Sequence, residues 1–133
     1  MPRTSQLATS QLAAASRDSV LALRRVERQQ ALIERLHSAR RRIQLAELAH
    51  ELGVSARTAA RDVERLREGG LPLDVRQGRG GGVALRATTG PVRLELDLPE
   101  AAALMSSLAV LGPTVTPSAA SAMRKLVAAV AAG

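Results

Sequence analysis

The sequence predicts a mainly α-helical fold that carries one small β-hairpin near its middle. Apolar residues recur at helical spacing in five segments, and Gly and Pro residues separate most of these segments. One pair of short apolar runs flanks a glycine-rich stretch, which is typical of a hairpin. The 133 residues include no Phe, Trp or Tyr, so the core must be aliphatic and each side chain buries little area. We therefore expect modest stability and a partner subunit.

The first helix is predicted over residues 18–39, because nothing in this stretch breaks a helix and its apolar residues recur on one face. Residues 1–25 are interpreted as an N-terminal extension that is either flexible or helical. Three consecutive cations follow the helix: Arg40, Arg41 and Arg42. At a helix C-terminus such charges interact favourably with the helix dipole.

Two further helices are joined by a short turn. Residues 45–52 form a helix pattern, and Gly53 is placed to end it in the left-handed conformation. Ser55 is expected to cap a third helix that ends near Glu68. Two helices joined in this way form a helix-turn-helix.

A hairpin directly after the third helix is a wing. Apolar runs at 71–75 and 83–85 flank the connection Gly78-Arg79-Gly80-Gly81-Gly82, which we expect to be a flexible wing tip. Residues 26–87 are therefore predicted to be a winged helix-turn-helix domain.

The last third of the chain is predicted to be a linker, residues 88–97, and a helical hairpin, residues 98–133. Thr116 is expected to cap the second helix of this hairpin, with Pro117 at its first position. Each helix has one apolar face, which could be internal core or a dimer surface. Any apolar surface that the two helices do not bury against each other must pack on the winged domain or on another subunit. The hairpin is therefore a possible dimerisation element, and we expect a homodimer.

The distribution of charge points to a polyanionic partner. Of the net charge of +7, all lies in residues 1–86, which hold 16 basic and 9 acidic side chains. Residues 87–133 hold three basic and three acidic side chains and therefore have no net charge. This asymmetry is expected when one module of a chain meets nucleic acid, although a solvated basic surface is an alternative.

The third helix carries the strongest signal because its two faces differ in character. The apolar face holds Ala56, Ala59, Val63 and Leu66. The opposite face holds Arg57, Arg61 and Arg65, with Thr58 beside them. Like charges at i, i+4 weaken a helix slightly, so an external anion explains the arginine row better than solvent exposure. A guanidinium can bind phosphate or read a guanine edge in the major groove.

The stretch Leu48–Leu66, LAHELGVSARTAARDVERL, resembles the winged helix-turn-helix of DeoR-like and WYL-domain transcription factors. Their pattern there is LA…LGVS-x-RT-x-x-RD followed by an aliphatic residue. Residues 69–85 resemble the glycine-rich wing of the WYL group, and residues 96–131 resemble its helical linker. The resemblance covers about residues 28–131.

This resemblance implies a DNA-binding transcriptional regulator whose partner is double-stranded DNA. By matching positions, it implies that the DNA-facing residues include Ser55, Arg57, Thr58 and Arg61. Asp62 is expected to orient Arg61 or to cap neighbouring groups. Ala60 stands where the family usually carries a larger side chain. The chain ends at Gly133, where the family's effector-sensing domain would begin, so we expect no small-molecule effector.

Further arginines are expected to add attraction for the sugar-phosphate backbone that does not depend on sequence. They are Arg65 on the third helix, Arg40, Arg41 and Arg42, and Arg76, Arg79 and Arg86 in the wing. Simple solvent exposure is the alternative for each. For the whole chain, the alternatives to a sequence-specific regulator are a winged-helix module that binds an acidic protein and a non-sensing fragment of a larger regulator.

The sequence gives no support for metal binding, catalysis, single-strand binding or membrane contact. Without cysteine, and with His37 and His50 far from further ligands, no metal site is predicted. No nucleophile is paired with a base, so we predict neither an enzyme nor a cofactor. The lack of aromatic residues excludes the usual base-stacking platforms for single strands and RNA. No long apolar run occurs, so we expect no membrane contact and a cytoplasmic protein.

Overall fold

The computed structural model describes residues 2–86, 90–112 and 116–132. The elements are, in order, α1 (Pro2–Ala39), α2 (Leu45–Leu52), α3 (Ala56–Glu68), β1 (Leu73–Arg76), β2 (Gly82–Leu85), α4 (Leu98–Leu111) and α5 (Pro117–Ala132). The predicted mainly helical fold with one hairpin is confirmed. The N-terminal extension is helical, so α1 begins 16 positions before the predicted start. The chain divides into two units, residues 28–95 and residues 1–27 with 96–133.

The core of the unit at 28–95 lies between the end of α1, the two short helices and the wing. It consists of small aliphatic side chains that are almost completely buried: Leu32, Leu36, Ile43, Leu48, Val63, Leu73 and Val83. Leu32 and Leu36 lie one turn apart on α1, and this spacing puts both on the face that meets the core. The predicted aliphatic core is thus confirmed in this unit.

The turn between α2 and α3 follows the prediction closely. Gly53 adopts φ 69°, in the left-handed region, and Val54 N–H donates to the Ala49 carbonyl at 3.0 Å. Ser55 Oγ accepts a hydrogen bond from the Thr58 backbone N–H at 3.1 Å and so caps α3. These contacts fix the direction in which α3 leaves the turn.

The glycine-rich segment is more than a flexible tip, because its last residue is buried against a third extended segment. Ile43 exchanges two backbone hydrogen bonds of 2.8 Å with Val83 of β2, which adds a one-residue bridge to the β1–β2 pair. Gly82 adopts φ 118°, and a Cβ there would lie 2.3 Å from the Ile43 carbonyl oxygen. Only glycine permits this approach, so the start of β2 is attached to the segment before α2.

In the other unit, α4 and α5 pack against each other and both helices are capped by side chains. Asp97 Oδ1 accepts from Glu100 N–H at 2.9 Å, and Glu100 Oε1 accepts from Asp97 N–H at 3.0 Å. Thr116 Oγ1 accepts from Ala119 N–H at 3.0 Å, which confirms the predicted cap of α5. Residues 91–97 have no regular secondary structure, while 88 and 89 of the predicted linker lie outside the described residues.

This second unit leaves much of its apolar surface exposed. Among its described aliphatic residues, Ala101 alone is buried. Large side chains that stay exposed on α4 and α5 are Leu98, Leu104, Val110, Val127 and Val130. So much exposed aliphatic surface on two neighbouring helices marks a contact surface more often than a solvent-facing one. No helix in the described part of the chain is long and apolar enough to cross a membrane.

Candidate nucleic-acid interface

The arginine row of α3 faces away from the core, as its spacing predicts. Arg57, Arg61 and Arg65 are all exposed, whereas Ala59 and Val63 on the opposite side are buried. Among the described residues, no hydrogen bond or ion pair engages any of the three guanidinium groups. Arg65 lies near enough to Asp62 to help lower the pKa of that carboxylate, whereas Arg57 and Arg61 have no ion-pair partner among the described residues. This face of α3 therefore offers positive charge to an external anion.

The first turn of α3 is held rigidly beside this row. Ser55 Oγ is 3.1 Å from both the backbone nitrogen and Oγ1 of Thr58, which is half-buried. The serine oxygen is thus used as a cap, and it leaves the backbone N–H groups of Ala56 and Arg57 pointing out of the helix N-terminus. Such unpaired N–H groups favour a phosphate.

Asp62 anchors α3 to α1, so the expectation that it orients Arg61 is wrong. Its side chain is fully buried, and both oxygens accept hydrogen bonds from Arg28, one of them at 3.0 Å from Arg28 Nη2. Gln29 Nε2 donates to Oδ1 of the same carboxylate at 3.3 Å. Burial opposes ionisation, yet the hydrogen bonds from Arg28 and Gln29 hold the pKa of Asp62 below its ordinary value. The ion pair fixes the rotation of α3 and therefore the direction of the arginine row.

The three arginines after α1 are separated by the fold. Arg42 turns inward: Nη1 donates to the Asp74 and Gly82 carbonyls at 3.0 and 3.2 Å, and Nη2 donates to the Asp74 carboxylate. Arg41 is exposed and forms an ion pair with Glu47 at 3.1 Å. Arg40 is exposed, and its guanidinium bonds no other described residue. Arg42 therefore holds the base of the wing to the segment before α2.

Asp74 is the electrostatic centre of the wing. Its carboxylate accepts from Arg42 and Arg86, and Arg76 Nε lies 3.5 Å away. Hydrogen bonds from Arg42 and then Arg86 lower the pKa of Asp74 to about 2. Arg86, expected to face the sugar-phosphate backbone, thus has an intramolecular partner. Arg79 at the tip is exposed and bonds no other described side chain.

A groove of about 280 Å³ separates α3 from the wing. The methyl group of Ala60 lines it and leaves space that a larger side chain would fill. Beside Ala60, the polar residues that line the groove are Gln44, Glu64, Arg76 and Gln77. Of these four residues the sequence pattern indicated only Arg76, because the groove forms only when the wing folds back towards α3.

Comparisons with known proteins agree with this architecture. Residues 28–83 match the family described as HTH domain. Over 84 residues the chain is 37% identical to the "Uncharacterized HTH-type transcriptional regulator YobV" of Bacillus subtilis (strain 168). That similarity covers 63% of this chain and 26% of the relative, so the chain corresponds to about a quarter of that protein. No solved structure shows a significant match.

Proposed function

We propose that this chain is a transcriptional regulator that binds double-stranded DNA in a sequence-specific manner through its winged helix-turn-helix. The observation that carries the proposal is the row of three unpaired guanidinium groups on the outer face of α3. The match of residues 28–83 to the HTH domain family supports it, as does the name of the B. subtilis relative. Within such regulators, the Leu48–Leu66 motif favours the DeoR-like and WYL group.

In this proposal α3 enters the major groove with its N-terminal half. Arg57, Thr58 and Arg61 contact bases or phosphates, and a bidentate contact with O6 and N7 of guanine suits an arginine best. The α3 N-terminus beside Ser55 holds a phosphate, and Arg65 reaches the backbone farther along the helix. The anchored orientation of α3 means that little side-chain entropy beyond that of the arginines is lost on binding.

The wing and the segment after α1 supply attraction without sequence preference. Arg79 and Arg76 extend from the wing, and Arg40 and Arg41 are exposed near its base. Arg42 was in the predicted DNA-contacting set, but the structure commits its guanidinium to Asp74 and two carbonyls. We therefore assign Arg42 to the support of the wing and omit it from the DNA-contacting surface.

We further propose that two copies bind DNA together through the α4–α5 hairpin. The hairpin exposes aliphatic side chains. Together with the capping residue Asp97 it holds two acidic and two basic residues, Asp97, Glu100, Arg124 and Lys125. Two such faces can therefore meet without the repulsion that two basic domains would suffer. A symmetric pair would read two half-sites about one helical turn of DNA apart. The compartment of such a regulator is that of the DNA it controls, which we propose to be the cytoplasm.

Selection of bound duplexes from a random pool tests the function. We expect one sequence family to be enriched, with two inverted half-sites, and its affinity to fall steeply as salt rises. The salt slope counts the phosphates that are neutralised, at about 0.9 per contact. The control is an acidic polypeptide with the same net charge as the duplex.

Enrichment of a single half-site would refute the dimer but not the recognition of DNA by α3. Equal binding of every duplex, together with tight binding of the acidic polypeptide, would refute DNA recognition and favour a protein-interaction module.

A further inference from the structure

A cleft of about 530 Å³ opens at the base of the wing, and no residue of α3 lines it. Its aliphatic floor consists of Leu36, Ala84 and Leu85. The remaining lining residues are His37, Arg40, Arg41, Arg42 and Arg86. No carboxylate is among the described residues that line the cleft, so its rim offers hydrogen-bond donors and positive charge above an apolar floor.

Nearby carboxylates are too few to neutralise these arginines. Asp74 is the one carboxylate that forms ion pairs with Arg42 and Arg86 among the described residues, and Arg76 lies 3.5 Å from the same carboxylate. Glu47 is the partner of Arg41 and also lies 3.9 Å from Arg35, whose own closer partner is Glu51 at 2.8 Å. Arg40 has no carboxylate partner among the described residues. The cleft therefore keeps a surplus of positive charge at short range, which an anion would relieve.

Arg40 adds an independent observation because its backbone is strained. It adopts φ 53° directly after α1, and in the described chain it is the one residue other than glycine with a positive φ. Glycine is the favoured residue at this position of a helix end, since a Cβ clashes with the neighbouring backbone. A cation here interacts favourably with the dipole of α1, but the positive φ itself favours glycine over arginine. A strained residue whose charged side chain lines a cleft and has no protein partner among the described residues is better explained by a ligand.

We infer that this cleft binds a phosphate group, with Arg40 as a principal donor and the surplus charge of Arg41 and Arg86 in support. Guanidinium groups bind phosphate through paired, charge-assisted hydrogen bonds, and the aliphatic floor accommodates the carbon skeleton to which the phosphate is attached. The phosphate belongs either to the DNA backbone or to a small phosphorylated ligand. Where the phosphate is that of DNA, the inference rests on the proposed function, which gives Arg40 and Arg41 a part in backbone attraction; where it is that of a small ligand, it does not. No residue of α3 takes part in either case.

Titration of the full chain with inorganic pyrophosphate tests the cleft, with sodium chloride at equal ionic strength as the control for screening. The informative variant is Arg40→Gly, because glycine relieves the positive φ while removing the guanidinium. Arg17→Gln, which removes one exposed charge from α1, is the matched control. We expect saturable binding to the wild type and to Arg17→Gln, and binding at least about tenfold weaker to Arg40→Gly.

The unliganded Arg40→Gly variant should unfold at the same temperature as the wild type or higher, which separates loss of the ligand from loss of the fold. Equal pyrophosphate affinity in Arg40→Gly and the wild type, or no saturable binding to the wild type, would overturn the inference.

The source of the phosphate follows from duplex binding by the same variants. If the phosphate is that of the DNA backbone, Arg40→Gly weakens duplex binding and pyrophosphate competes with the duplex. If it belongs to a small ligand, Arg40→Gly loses only the small, salt-dependent share of duplex affinity that one exposed cation supplies, and pyrophosphate does not compete with the duplex. Pyrophosphate binding that persists in a chain unable to bind any duplex would support the cleft and refute the proposed function.

Discussion

Replacing Arg61 by alanine should weaken binding to the selected duplex by about 1–3 kcal/mol, or roughly 5- to 150-fold. Arg61 lies at the centre of the row on α3, and its guanidinium is free of other described residues, so the loss reports on contacts with DNA alone. Affinity for the selected duplex and for an unrelated duplex, measured at one fixed salt concentration, distinguishes two roles. Loss of a base contact lowers affinity for the selected duplex more, whereas loss of a phosphate contact lowers both equally.

The matched control for this experiment is Arg67→Ala. Arg67 lies on the same helix and is also exposed, but it forms an ion pair with Glu64 at 2.8 Å and stands outside the row. Both substitutions remove one positive charge from α3. If Arg67→Ala weakens binding as much as Arg61→Ala does, then overall charge rather than the row accounts for the attraction.

Replacing Asp62 by alanine should lower the free energy of unfolding by about 3 kcal/mol, at the low end of the range for a buried ion pair. The substitution leaves the Arg28 guanidinium without its anion, and Gln29 loses its acceptor. Because 24% of the Arg28 side chain stays exposed, water compensates part of the loss. Urea denaturation of the full chain, followed through the helical circular dichroism signal, measures the effect.

Glu64→Ala is the control, since it removes a carboxylate from the same helix but breaks only the exposed pair with Arg67. Its cost should stay below about 1 kcal/mol. The anchoring role of Asp62 would be disproved by a loss no larger than that of Glu64→Ala.

Local patterns were sufficient to predict the elements that position α3. Gly53 and Ser55 predict the turn, because glycine favours the left-handed conformation at a helix end and serine favours the cap of the next helix. The opposed faces of α3 follow from the 3.6-residue period, which places Arg57 and Arg61 together opposite Val63. Each of these signals comes from residues a few positions away from the feature that it predicts.

What the sequence could not show are contacts between distant residues. Arg28 and Asp62 are 34 positions apart, and neither stands out among 19 basic and 12 acidic side chains. Arg42 was grouped with its two neighbours because they are consecutive, yet its pairing with Asp74 depends on the wing folding back. Local patterns also do not predict the bridge between Ile43 and Val83. The one related signal was the run of glycines ending at Gly82, which permits the close approach to Ile43.

Methylation interference with dimethyl sulfate on the selected duplex tests the central claim most directly, since the reagent marks guanine N7 in the major groove and adenine N3 in the minor groove. If the arginines of α3 lie in the major groove, guanine methylation within each half-site should block binding of the wild type. The same methylation should have little further effect on the Arg61→Ala variant. Interference confined to adenine N3, or guanine interference that Arg61→Ala leaves unchanged at every position, would contradict the account.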